Sequence, residues 1–275
     1  MRWRGGPHRI WPDASDYDYL ASTDAPGLAW EWLRRDPAYR QMEPGRRWRK
    51  PEGVTVIEAA PPVVVARWGC LHIGDPLLRS SDCSVPWSAR VDPSVLRVDA
   101  IPLRASDEAT SFNLRRWLSR ATVVKQASGD ENLLLHDGMN SIRLDIMSGS
   151  LLNGPVALRF DIHRGDSVDP MIDTLRRFLH FQRTGAVPPL RRSRVRHHQR
   201  VVLALRVHDA LVQGASIRDV GIMLFGIGRV EAEWEASGES LKSACRRLIA
   251  LARSMAEGGY LSLLTRRSAM SARPE

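Results

Sequence analysis

The sequence predicts an α+β protein in three parts. These are a small N-terminal helical/β unit, a central three-stranded antiparallel meander with a covering helix, and a C-terminal tri-helical, helix-turn-helix-like unit. Three observations carry this. An aromatic-rich stretch near the start has helical spacing of apolar residues. Residues 132–162 alternate apolar and polar residues about an Asp137-Gly138 pair. Residues 201–256 repeat apolar residues at helical intervals. A chain of 275 residues can bury a real core, and 43% hydrophobic residues argues against wholesale disorder.

In chain order, "WPDASDYDYLASTDAPGLAWEWLRRDPAYRQM" (11–42) reads as a compact aromatic unit. Pro26 suits a first helical turn, Ala29, Trp32 and Leu33 share a face, and Asp36-Pro37 ends the helix. Trp30, Trp32 and Trp48 are read as core side chains rather than base-stacking platforms, because a small core needs large side chains. "EPGRRWRKPEG" (43–53) reads as a linker. Residues 54–104 look β-rich, with "VTVIEAA" and "PPVVVARW" as strands broken by prolines. Cys70, His72 and Cys83 lack the fourth ligand and close pairing that zinc needs, so no metal is expected. The three cysteines are read as free thiols of a reducing cytoplasm.

The hairpin signal is Asp137-Gly138 between "NLLLH" and "SIRLDI". Ile142, Leu144 and Ile146 point to one face, Arg143 and Asp145 to the other, and Val156 to Ile162 alternate again. The helix at 169–185 starts near Pro170, ends at Gly185 and carries an Ile172, Leu175, Leu179 stripe. "RRSRVRHHQR" (191–200) reads as a loose basic arm.

Three helical signals follow. The first places Val201, Leu205, His208 and Val212 on one face, with His208 as a core histidine. The second is capped by Ser216 with Asp219, carries Ile217, Val220 and Leu224, and stops at Gly226. After a loop, "IGRVEAEWEASG", the third buries Leu241, Cys245, Leu248, Ala252 and Met255. It lays Lys242, Arg246 and Arg253 along another side, with Ser243 and Arg247 beside them. The domain reading is 1–50, 54–130, 131–190, 191–265 and a disordered tail at 266–275.

Charge points to a partner. Residues 184–275 hold fifteen Lys/Arg and eight Asp/Glu, giving +7 of the chain's net +9. A concentrated positive field favours a polyanion, nucleic acid before a membrane surface. No apolar run is long enough to span a bilayer, "MRWRGGPHRIWPD" lacks the apolar stretch of a signal peptide, and residues 191–200 lack the aromatic interleaving of an interfacial helix. No nucleophile elbow, HExxH, P-loop or GxGxxG is present, so an enzyme is not expected and no cofactor is implied. A basic face on a last helix suits duplex DNA. The candidate contacts are Lys242, Ser243, Arg246, Arg247 and Arg253, with Arg218, Arg194, Arg196 and Arg200 around them.

"HDGMNSIRLDIMSGSLLNGPVALRFDI", "LRRFLHFQRTG", "LALRVHDALVQGASIRDVGIMLFG" and "SLKSACRRLIALARSMAEGGYLSLL" together resemble the DNA-binding domain family of the type VI secretion transcription factor RovC. "SDYDYLASTDAPGLAWEWLRRDPAYR" and "ARWGCLHIGDP" resemble the proteobacterial transcriptional regulator-like domain that often precedes it. The resemblance implies a cytoplasmic bacterial DNA-binding regulator. Relatives with this layout include activators of mobile-element transfer. A lone module of this size covers limited DNA surface, so a homo-oligomer on DNA is expected, with RNA polymerase or an antiactivator protein as further candidate partners. The family's basic run falls on Lys242, Arg246, Arg247 and Arg253, whereas Ala244-Cys245 stand where relatives are often more basic. The alternative is an antiactivator that binds a homologous regulator instead of DNA. A depleted basic face would mark it.

Overall fold

The computed structural model describes residues 12–50, 53–83, 85–103, 111–162, 168–189, 195–234 and 239–265. Arg194 and the tail at 266–275 lie outside them. The chain divides into two compact units: residues 23–191 with 260–275, and residues 1–22 with 192–259. In order, the elements are a 3-10 segment Ser15–Ala21, α1 Ala25–Leu33, β1 Arg47–Arg49, β2 Thr55–Glu58, α2 Pro62–Val65, β3 Leu96–Pro102, β4 Ala121–Lys125, β5 Glu131–His136, β6 Ser141–Ser148, β7 Val156–Asp161, α3 Val168–Thr184, α4 Val195–Val212, α5 Ile217–Phe225, α6 Ile227–Glu233, α7 Glu239–Ala256 and α8 Ser262–Thr265.

The first unit is a seven-stranded mixed sheet of order β1-β2-β4-β5-β6-β3-β7, not the expected three-stranded meander. The β5–β6 hairpin forms as its turn residues demand. Asp137 Oδ1 accepts from the N–H groups of Met139 and Asn140 at 3.0 and 2.8 Å, and Gly138 sits at φ +90°. The third strand does not close on this hairpin. β3 enters between β6 and β7, parallel to β6 and antiparallel to β7. Alternation shows which face a strand buries, but it carries no label for the neighbour.

Ile142, Leu144 and Ile146 face a core shared with Leu96, Val98, Leu133 and Leu135 and closed by Phe178 and Phe181 of α3. α3 does cover the sheet, but its stripe is corrected. Thr174, Phe178 and Phe181 are buried, while Leu179 is exposed, because the two phenylalanines offer more area to the sheet. On the opposite face Arg143 is 6% exposed and pairs with Asp145, which also accepts from Asn132 Nδ2 at 2.7 Å.

Two other expectations change. The stretch read as a linker contains β1, which pairs with β2. "PPVVVARW" is α2 and a 3-10 turn rather than a strand: Pro62 opens the helix, Val65 is buried and Val63 is exposed. The tryptophan reading holds for Trp30 and Trp32, which are fully buried; Trp48 is half-buried against the sheet core. α1 starts as Pro26 suggests. Asp24 caps Gly27 N–H at 2.8 Å, and its other oxygen accepts from Ser141 N–H and Oγ–H at the start of β6. Cys70 and His72 are buried, and the His72 Nδ1 position lies 2.8 Å from the Glu58 carbonyl. Among the described residues no group of three or more metal-ligating side chains comes together.

Among the described residues the second unit has four helices rather than the expected three. The expected loop after Gly226 contains α6. Gly226 turns the chain at φ +83°, and Val230 and Trp234, one turn apart, then bury themselves. Interleaved glutamates hid that short apolar pair. α4 packs on α7, and α5 packs on α6 and α7. On α4, Val201, Ala204, Leu205, Val207 and Ala210 are buried. His208 is half-buried, and Val212, expected on the apolar face, is 74% exposed because it ends the helix. The basic stretch is not wholly a loose arm, since Val195–Arg200 form the first turns of α4. The 3-10 segment belongs to this unit too: Tyr17 donates to Asp209 at 2.5 Å. Among the described residues no helix is long and apolar enough to cross a membrane.

Candidate nucleic-acid interface

α7 is positioned by its own pattern. Leu241, Cys245, Leu248, Ala252 and Met255 are all buried, at the spacing of a helical stripe. Burial pushes the Cys245 thiol above its ordinary pKa, consistent with a packing role. At 3.6 residues per turn, Lys242, Arg246 and Arg253 fall within about 40° of one another, on the side away from that stripe. Arg246, Arg247 and Arg253 are exposed; Lys242 and Ser243 are half-exposed.

The partners of these side chains decide what the face can offer. Arg247 Nη1 donates to Ser243 Oγ at 2.8 Å, so the serine steadies a guanidinium one turn on. Lys242 Nζ lies 5.7 Å from the centroid of the Trp234 ring, a cation–π contact that holds the ammonium against α6. Arg246 Nη1 donates to Glu239 Oε1 at 2.8 Å, with both side chains largely exposed. An exposed pair of this kind is worth roughly 0–1 kcal/mol, so an incoming phosphate or guanine can displace it.

Glu239 and Trp234 were not picked out from the sequence. Glu239 stands seven residues, about two turns, before Arg246, which is the spacing that could have revealed it. Trp234 backs Lys242 only because α6 exists.

The remaining candidates sit on other elements. Arg196 and Arg200 are exposed one turn apart at the start of α4. Arg218 is exposed in the first turn of α5, whose start is fixed by a full capping box: Ser216 Oγ accepts from Asp219 N–H, and the Asp219 carboxylate accepts from Ser216 N–H at 2.8 Å. The structure therefore brings Lys242, Ser243, Arg246 and Arg247 together and places Arg253 further along the same helix.

A last long helix that buries one stripe and exposes arginines on its other side presents a cationic ridge. No curated protein matches the chain. Residues 166–265 match the family model described as T6SS, transcription factor, DNA binding domain. Residues 10–71 match the proteobacterial transcriptional regulator-like domain. The chain thus carries, in this order, a segment similar to the proteobacterial transcriptional regulator-like domain and a segment similar to the DNA-binding domain of a type VI secretion transcription factor, and this pairing supports a bacterial transcriptional regulator.

Proposed function

We propose that this protein is a sequence-specific transcriptional activator of a mobile-element transfer or secretion locus, acting in the cytoplasm on duplex DNA through α7. The observation that carries the reading is the division of α7 into a fully buried stripe and an exposed Arg246, Arg247, Arg253 face. Arginine reads guanine O6 and N7 with two hydrogen bonds, while Lys242 and Ser243 steady the helix on phosphates. Arg218 of α5 and Arg196 and Arg200 of α4 add backbone contacts. A module this small covers limited DNA, so a homo-oligomer raises affinity and sets half-site spacing. No step of this function is catalytic.

Genome-wide footprinting of the tagged protein would supply its sites, and filter binding to those fragments would test α7. Arg246→Ala with Arg247→Ala should cost about 1–3 kcal/mol for each base-reading arginine removed. Unchanged binding by a folded double variant would remove α7 from the interface. The Arg246–Glu239 pair, which partly neutralises the face, keeps one alternative in play: an antiactivator that occupies a homologous regulator. Recovery of such a regulator in a pull-down, with no DNA shifted in a gel, would favour it.

A further inference from the structure

The sheet unit carries a cationic groove of its own. α3 displays Arg176, His180 and Arg183 at intervals of four and three residues, so they share one face. This face lines an open groove of about 610 Å³, with Pro188 and Pro189 as the opposite wall. Arg177, 6% exposed, fastens that wall: its Nε donates to the Pro188 carbonyl at 2.8 Å. The carboxylate lining the groove is Asp173, 3.4 Å from Arg176 Nη1, with Arg176 75% exposed and Asp173 49%.

We propose that this groove is a second phosphate-backbone contact for duplex DNA, lying outside the helical unit that holds α7; it rests on the DNA-binding reading above. Three features support it. Arg176 and Arg183 stand seven residues apart, about 10 Å along the helix, a separation that suits two neighbouring phosphates of a duplex and is too long for one small anion. The helix dipole accounts for a cation in the last turn, Arg183, but not for Arg176 two turns earlier. The match to the DNA-binding family model begins at residue 166, so the matched domain includes α3 and does not start with the C-terminal helices. Contacts of this kind add affinity without sequence preference and deepen the salt dependence.

The test is the full-length chain with Arg176→Ala and Arg183→Ala together, beside Arg246→Ala with Arg247→Ala, on footprinted and unrelated duplexes by fluorescence anisotropy. Circular dichroism melts establish that both variants fold. With two phosphate-binding arginines removed, the slope of log K against log salt should flatten by about 2. Between 50 and 200 mM salt that is about tenfold less loss of affinity, equal on both duplexes. A slope equal to wild type in the α3 variant, while the α7 variant binds more weakly, overturns the inference and leaves the α7 reading standing. Loss of inorganic pyrophosphate binding by calorimetry with no change in slope also overturns it, in favour of a small-anion pocket. Wild-type protein that binds neither duplex at 50 mM salt overturns both readings.

Discussion

Replacing Gly221 by alanine sets two effects of opposite sign against each other. Gly221 lies inside α5, where alanine in place of glycine usually stabilises by about 0.4–1 kcal/mol. Here the added methyl would meet the buried Trp234 ring at 2.7 Å from Cζ3 and 3.2 Å from Cη2. Trp234 is 7% exposed, and its indole cannot yield by bending as an aliphatic chain would. Overpacking of this kind costs about 1–3 kcal/mol, so the net effect is a loss of about 1 kcal/mol. For a helical unit of this size that is about 4–8 °C in Tm. Gly228 in α6 supplies the comparison, because a methyl there meets nothing within 4 Å. Gly228→Ala should hold or raise the stability by up to about 1 kcal/mol. Urea unfolding followed by far-UV circular dichroism measures both. A Gly221→Ala midpoint as high as that of Gly228→Ala would refute the packing of α6 on α5, and with it the seat of Lys242 on Trp234.

Three further outcomes follow from the same structure. Glu239→Gln frees Arg246 and removes a negative charge from the face, so DNA affinity should rise by roughly fivefold, about 1 kcal/mol; equal or weaker binding counts against Arg246 as a contact. Burial holds His72 and His136 below the ordinary imidazole value of 6.5, with Arg47 adding to the effect. A histidine that resists protonation when folded contributes stability that is complete above the unfolded pKa and declines as pH falls below about 6.5. Burial of Glu31 favours its neutral form, but Arg34 and Arg35 prevail and keep its pKa below 4.5, so its contribution is lost further down, as pH falls through the folded value. The urea midpoint should therefore drop from pH 7.5 to 5.5 and again below 4.5; a flat profile to pH 5 would contradict the desolvation of buried His72 and half-buried His136. Burial pushes the Cys70 thiol up to about 12, which leaves about one thiolate in ten thousand at pH 8. It should react with a disulfide reagent only in denaturant, and rapid labelling of Cys70 in folded protein would show that site to be open.

The sequence alone was enough for features set by neighbours within about one turn or one hairpin. The five buried positions of α7, the Ser216–Asp219 cap and the Asp137-Gly138 turn all depend on spacing between residues close in the chain, and each forms as its spacing requires. The cationic face of α7 was legible for the same reason. The neighbour of each strand was not: β3 displaces β7 from β6 across some forty residues, and an alternating pattern fits either partner equally well. Nor was α6, whose two buried residues have meaning only against Gly221 of another helix, nor the assembly of Arg176, His180 and Arg183 with a proline wall. Local dihedrals and periodicity are written in adjacent residues, whereas strand order and groove shape depend on which distant surfaces exclude water together, and only the folded chain decides that.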